Sequence, residues 1–170
     1  MKKLIILVLG FMFVLAARGQ DKFTVPSPSA LQKYNTAAWQ WNGAYVIMIK
    51  YAKSLGQTVE EAATAAGSIA AATWNSNMTF DDLVNSMLYT YAVMAPSGKI
   101  EILEQSPDMV VFSVANLYKP LDNMLDEFKI TRAELSKFYA IYGKQIADLI
   151  GAKYSVIDTG DISTVTISKN

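Results

Sequence analysis

The sequence predicts an α+β domain: N-terminal helices, then two β-hairpins that flank a broken helix and form one four-stranded antiparallel sheet. Three observations predict it. Residues 99–104 with 108–115, and 153–158 with 161–168, alternate apolar and polar side chains around the turn sequences Ser106-Pro107-Asp108 and Asp158-Thr159-Gly160-Asp161, the pattern of two strand pairs. Between them, residues 119–151 carry apolar positions three and four apart, the period of a helix. Ahead of them, three stretches between residues 30 and 95 have the same period and are separated by turns. Two hairpins separated by helix bury their apolar faces by joining into one sheet with the helices packed on one side.

Taken in order, the chain opens on Lys2 and Lys3, an apolar run from Leu4 to Ala17, and Ala17-Arg18-Gly19 with small residues at −3 and −1 of a cut before Gln20. Residues 1–19 therefore read as a secretory signal peptide. A retained anchor is the rival reading, but about 14 apolar residues at ~1.5 Å each reach only about 21 Å, short of a hydrocarbon core of ~30 Å. The run is not followed by Cys, so a lipid-anchored lipoprotein is excluded. Cleavage removes Lys2, Lys3 and Arg18 and leaves 12 basic against 15 acidic residues, a net charge of −3 with no stable membrane anchor. A short Lys-Lys-led signal looks bacterial, which makes the expected destination periplasmic or secreted. Residues 20–29, with Pro26 and Pro28 among polar side chains, read as an extended arm, and residues 30–170 as a single α+β domain.

From Ala30 to Leu55, Leu31, Tyr34, Ala38, Trp41, Tyr45, Met48 and Ala52 mark an apolar stripe, and Gly56 suits a helix end. Thr58-Val59-Glu60-Glu61 is a capping box that starts an alanine-rich helix, whose small side chains allow close approach of another helix. Thr79-Phe80-Asp81-Asp82 caps a third, with Phe80, Leu83, Met87 and Tyr91 as its buried face. Asp81 and Asp82 are adjacent and point about 100° apart, so they serve the helix start better than an acid/base or metal pair. In the C-terminal half, Ile100 and Ile102, then Val110, Phe112 and Val114, are expected to face inward from half-buried strands. Pro120 fits a first helical turn, and a second capping box, Thr131-Arg132-Ala133-Glu134, breaks the helix near Lys129 and Ile130. Leu135, Phe138, Tyr142, Ile146 and Leu149 stripe the helix that follows.

With 170 residues, 52% of them hydrophobic, the chain has enough apolar material for one core. The 15 basic residues balance the 15 acidic ones, so nothing supplies the basic excess that nucleic acid binding needs. There is no Cys and no His, which excludes thiol nucleophiles, imidazole bases, disulfides and thiolate or imidazole metal sites. No cofactor, metal or catalytic residue is expected on these grounds.

From Met109 to Ser168 the order is strand, helix beginning Thr131-Arg132-Ala133-Glu134-Leu135, then Lys153-Tyr154-Ser155-Val156 and Gly160-Asp161-Ile162-Ser163-Thr164-Val165. This stretch resembles the L-2-amino-thiazoline-4-carboxylic acid hydrolase-like family. Its element order is similar to that of vinyl-reductase-type small-molecule-binding domains and the related subunits of vesicle-tethering complexes. The resemblance implies a fold and a ligand pocket. It does not carry the hydrolase activity across, because Phe112, Ser113 and Thr164 stand in regions where those families often have Cys, sometimes with His.

Two classes of function follow. The first is an exported, non-enzymatic small-molecule-binding or interaction protein, with Trp39, Trp41, Tyr45, Phe112, Phe138 and Tyr142 as candidate walls for a small apolar or aromatic ligand. Core packing competes for each of these residues. The alternative is a hydrolase of small amide or thiazoline-like substrates, using Asp122, Asp126 and Glu127; Asp122 and Asp126 are four apart on one helix face. Homo-oligomers through a sheet edge or the alanine-rich helix are compatible with either.

Overall fold

The computed structural model describes residues 27–96 and 98–170. The signal peptide expected at 1–19 and residues 20–26 of the expected arm lie outside the described residues. Three helices come first: α1 (Ala30–Ser54), α2 (Val59–Ala71) and α3 (Phe80–Met94). Each starts at a capping box, with Ser29, Thr58 and Thr79 accepting from the third residue of its helix while Gln32, Glu61 and Asp82 reach back. Strands β1 (Ile100–Ser106) and β2 (Met109–Ala115) follow, then a 3₁₀ turn with Pro120, and α4 (Asp122–Phe128). Lys129 adopts a left-handed conformation, φ 57°, and stops α4; the Thr131 capping box then starts α5 (Arg132–Ala147). A 3₁₀ turn leads to β3 (Lys153–Thr159) and β4 (Ile162–Ser168).

The four strands form one antiparallel sheet in the order β1-β2-β4-β3, the expected α+β architecture. The two hairpins meet at β2 and β4, where Phe112 pairs with Val165 and Val110 with Ile167. Those four side chains, with Val114 and Tyr154, form the buried face of the sheet and merge with the helices into one continuous core. α2 lies along α5, and α5 packs on β3. The alanine-rich α2 makes a close contact: a Cβ at Gly67 would fall 2.8 Å from Gln145 Cγ and 3.1 Å from Tyr142 Cα. Its small-residue face is thus used inside the chain.

Two expectations need correction. The stripe on α1 mixes two faces. Ala38, Tyr45 and Ala52 point inward with Asn42, Val46 and Ile49, whereas Leu31, Tyr34, Trp41 and Met48 are exposed. Apolar residues occupy two adjacent faces of this helix, so periodicity alone could not say which one the core covers. β1 is not half-buried: Ile100 is partly covered, but Ile102 is 53% exposed. β1 is a sheet edge whose register shifts between Ile102 and Glu104, and α3 stops short of it, leaving a cleft between Ile102 and Phe80, Val84 and Leu88. None of the helices among the described residues is long and apolar enough to cross a membrane.

Candidate functional site

Where α1, α2, α3 and α5 converge over β3, they leave a cleft of about 280 Å³. Its walls follow from helix spacing. α1 contributes Trp41 and Tyr45, four apart on neighbouring turns; α5 contributes Tyr139, Tyr142, Gly143 and Ile146. From α3 come Met87, Thr90, Tyr91 and Met94, and from the end of α2 and the turn after it Ala70, Thr73 and Trp74. Tyr154 of β3 reaches in because Gly143 has no side chain: a Cβ there would sit 2.5 Å from ring atoms of Tyr154. Seven of the lining residues are aromatic and none is charged.

The aromatic rings brace one another. Tyr45 meets Tyr139 and Tyr142 edge-on, with centroids 5.2 and 5.4 Å apart, and Tyr118 stacks on Tyr139 at 5.8 Å. Most of the polar tips are engaged. The Tyr91 and Tyr154 hydroxyls share a 2.5 Å hydrogen bond, and Tyr139 donates to Asn42 Oδ1 at 2.6 Å. The Asn42 amide in turn donates to the carbonyls of Ala38 (3.0 Å) and Met94 (2.8 Å), which fixes α1 against the end of α3. Trp41 Nε1 donates to the Tyr45 hydroxyl at 3.0 Å, while Thr73 and Thr90 donate to the carbonyls of Ala70 and Ser86. Trp41, Tyr139, Thr73 and Thr90, and one hydroxyl of the Tyr91–Tyr154 pair, thus spend their donors on protein acceptors, while each hydroxyl oxygen keeps capacity to accept.

Burial sets the electrostatics. It pushes the phenols of Tyr91, Tyr139 and Tyr154 well above the ordinary tyrosine value, and Tyr91 is raised further by Tyr154. Tyr142 is pushed up by burial and then by Tyr45. Tyr118, behind the cleft, is raised by burial and by Asp158; its hydroxyl has no hydrogen-bond partner among the described residues, although Ser136 and Ser163 are near enough to temper the shift. Tyr91, Tyr118, Tyr139, Tyr142 and Tyr154 are thus neutral at physiological pH.

Of the six expected wall residues, Trp41, Tyr45 and Tyr142 line this cleft. Trp39 is exposed and outside it, while Phe112 and Phe138 are fully buried core residues. Sequence reading missed Trp74, Tyr91, Tyr139, Gly143 and Tyr154. The Tyr142-Gly143 pair was the available signal, since a glycine inside a helix often admits a neighbouring ring. The acidic trio has a different role. Asp122 is bound bidentately by Arg132 (Nε 2.9 Å, Nη2 2.7 Å), whose Nη1 also holds Asp161 at 2.7 Å, while Asp126 and Glu127 are exposed. These bonds raise the Arg132 pKa and tie α4, α5 and the β3–β4 turn together. Searches for a matching family model, a curated relative or a similar solved structure each found none.

Proposed function

We propose that this chain is an exported, non-enzymatic small-molecule-binding protein whose site is the aromatic cleft. The observation that carries the reading is a cavity walled by seven aromatic rings and free of charged side chains. At about 280 Å³ it is just below the ~300–1,000 Å³ range of small-molecule pockets, so the ligand is small. An ionic ligand would lose hydration there without gaining a counter-charge, so the ligand is neutral. Each hydroxyl oxygen of the lining keeps capacity to accept, so a hydroxyl or N–H on the ligand finds acceptors there. The expected class is a compact aromatic or alicyclic molecule with one donor group, such as a phenol or an indole. The similarity in element order to small-molecule-binding domains supports the same reading, and the Lys2-Lys3 start with the run Leu4 to Ala17 supports export.

Isothermal titration and thermal shift against phenols, indoles and short alcohols test this. A ligand present at 100 times its Kd stabilises the fold by about 2.7 kcal/mol. Filling the cleft with Ala70→Phe should abolish the shift, and Trp39→Ala should leave it intact. If no compound in the panel binds, or if binding survives Ala70→Phe, the cleft is not the site.

A further inference from the structure

Helix α1 has a second apolar face with a period of its own. Ala30, Ala37 and Ala44 alternate with Tyr34, Trp41 and Met48 at spacings of four and three, and Tyr51 and Leu55 continue the series. This line runs one residue ahead of the core line through Ala38, Asn42, Tyr45, Ile49 and Ala52, about 100° around the helix. Every position on it is exposed among the described residues; Trp41 is 51% exposed, Tyr51 65% and Leu55 59%. Ile47, 54% exposed, widens it. The helix has no acidic residue, and its lysines are Lys33, Lys50 and Lys53.

We infer that this face is where a second copy of the chain docks, with the two α1 helices antiparallel about a twofold axis beside Asn42 and Gly43. The alternation of small and large residues selects that arrangement. The axis sets Ala37 against Met48 of the second copy, Trp41 against its Ala44, and Ala30 against its Leu55, so three alanines each receive a large side chain; Tyr34 meets the second copy's Tyr51. Parallel pairing would set alanine against alanine and Trp41 against Trp41, leaving gaps beside collisions. It would also align each lysine with its own copy, whereas the antiparallel register opposes Lys33, Lys50 and Lys53 with uncharged residues.

The size fits a pair as well. The helix is about 37 Å long at ~1.5 Å per residue. Its half-exposed aromatics, each offering roughly 150–250 Å² when whole, and its aliphatic neighbours amount to a face on the order of 600–800 Å². A standard stable complex covers about 800 Å² per partner. Trp41 belongs both to this face and to the rim of the aromatic cleft, so pairing places Ala44 of the second copy at the cleft mouth. The inference does not depend on the cleft having a ligand.

Sedimentation equilibrium of the purified protein should give twice the chain mass at micromolar concentration. Ala44→Lys, which puts a charge into the seam, should weaken the pair roughly a hundred-fold or more. Tyr51→Glu should act in the same direction, and unchanged far-ultraviolet circular dichroism and melting would show that both variants fold. Since the chain has no Cys, Ala37→Cys combined with Met48→Cys should cross-link copies under oxidation, and neither single substitution should. A wild-type monomer at these concentrations overturns the inference, whether residues 20–26 cover the face or nothing does. So does cross-linking by the single variants, which reports parallel helices. A monomer that binds anionic vesicles and loses that binding with Tyr51→Glu would assign the face to a membrane surface instead.

Discussion

Raising the pH above 10 should unfold this protein steeply, because four of its nine tyrosines are both buried and held as neutral phenols by that burial. Tyr91, Tyr118, Tyr139 and Tyr154 are all less than 10% exposed, and burial is the leading cause of the upward shift for each. The sign follows from linkage. Below the ordinary value of 10, folded and unfolded chains both hold the proton, and the stabilisation is complete. Between 10 and the raised folded values only the unfolded chain ionises, so each phenol removes about 1.4 kcal/mol of stability per pH unit. Four together remove between about 5 and 6 kcal/mol per unit. Against the roughly 5–15 kcal/mol typical of a domain, that unfolds the chain within about one to three units above 10. The assay is a pH titration followed at once by tyrosinate absorbance and far-ultraviolet circular dichroism. The ionisation of these four should coincide with loss of helix. If all nine phenols ionise while the helical signal persists, the cluster is open to solvent and the reasoning fails.

Three more outcomes follow from the same structure. Tyr139→Phe leaves Asn42 Oδ1 without its donor and should cost about 1–3 kcal/mol in urea denaturation, more than Tyr142→Phe at a half-buried ring. Gly143→Ala drives a methyl into the Tyr154 ring and should cost about 1–3 kcal/mol, lowering Tm by roughly 2–4 °C for each kcal/mol. On the acid side, Glu60 is held below its ordinary value by Lys137, Glu61 by the Thr58 amide, Asp82 by the Thr79 amide and Asp161 by Arg132. Burial opposes the same shift at Glu134, and the bonds from Lys53 and Thr131 outweigh it. Carboxylates lowered in the fold contribute stability above their ordinary values and lose it as pH falls through the folded ones. The urea midpoint should therefore stay level down to about pH 5 and drop below it; a midpoint that is level to pH 3 would show these bonds to be absent in solution.

Local chemistry made much of the fold legible. Thr58, Thr79 and Thr131 each stand three residues before a carboxylate, and all three start helices because that spacing satisfies two backbone donors at once. The two hairpins and the break near Lys129 were readable for the same reason: turn and cap residues act within a few positions of themselves. What was not readable depended on which face a neighbour covers. Ile102 has the alternation of a buried strand yet sits on an edge, and Trp41 keeps helical period with Tyr45 while facing away from the core. In the cleft, Tyr91, Tyr139 and Tyr154 come from three separate elements, and their hydroxyls and rings meet only once α3 and α5 are seated on β3. Phe112 and Phe138 resembled Tyr45 in sequence pattern, but lacking a polar tip they lie wholly inside.

The junction of β2 with β4 sets an order of events for the chain as it folds. Each hairpin closes over a turn of a few residues, but the two join only after everything from Asn116 to Asp161 has been spanned, and the entropy lost in closing a loop grows with its length. The early local pieces, two ribbons and capped helices, therefore form without committing the sheet. Commitment comes when Phe112 finds Val165 and the ends are fastened by the Asn116 amide on the Asp161 carbonyl and the Lys169 amide on the Asp108 carbonyl. The slow step of folding then lies in the middle of the sheet, between strands far apart along the chain, and the outer strands β1 and β3 arrive already paired within their hairpins.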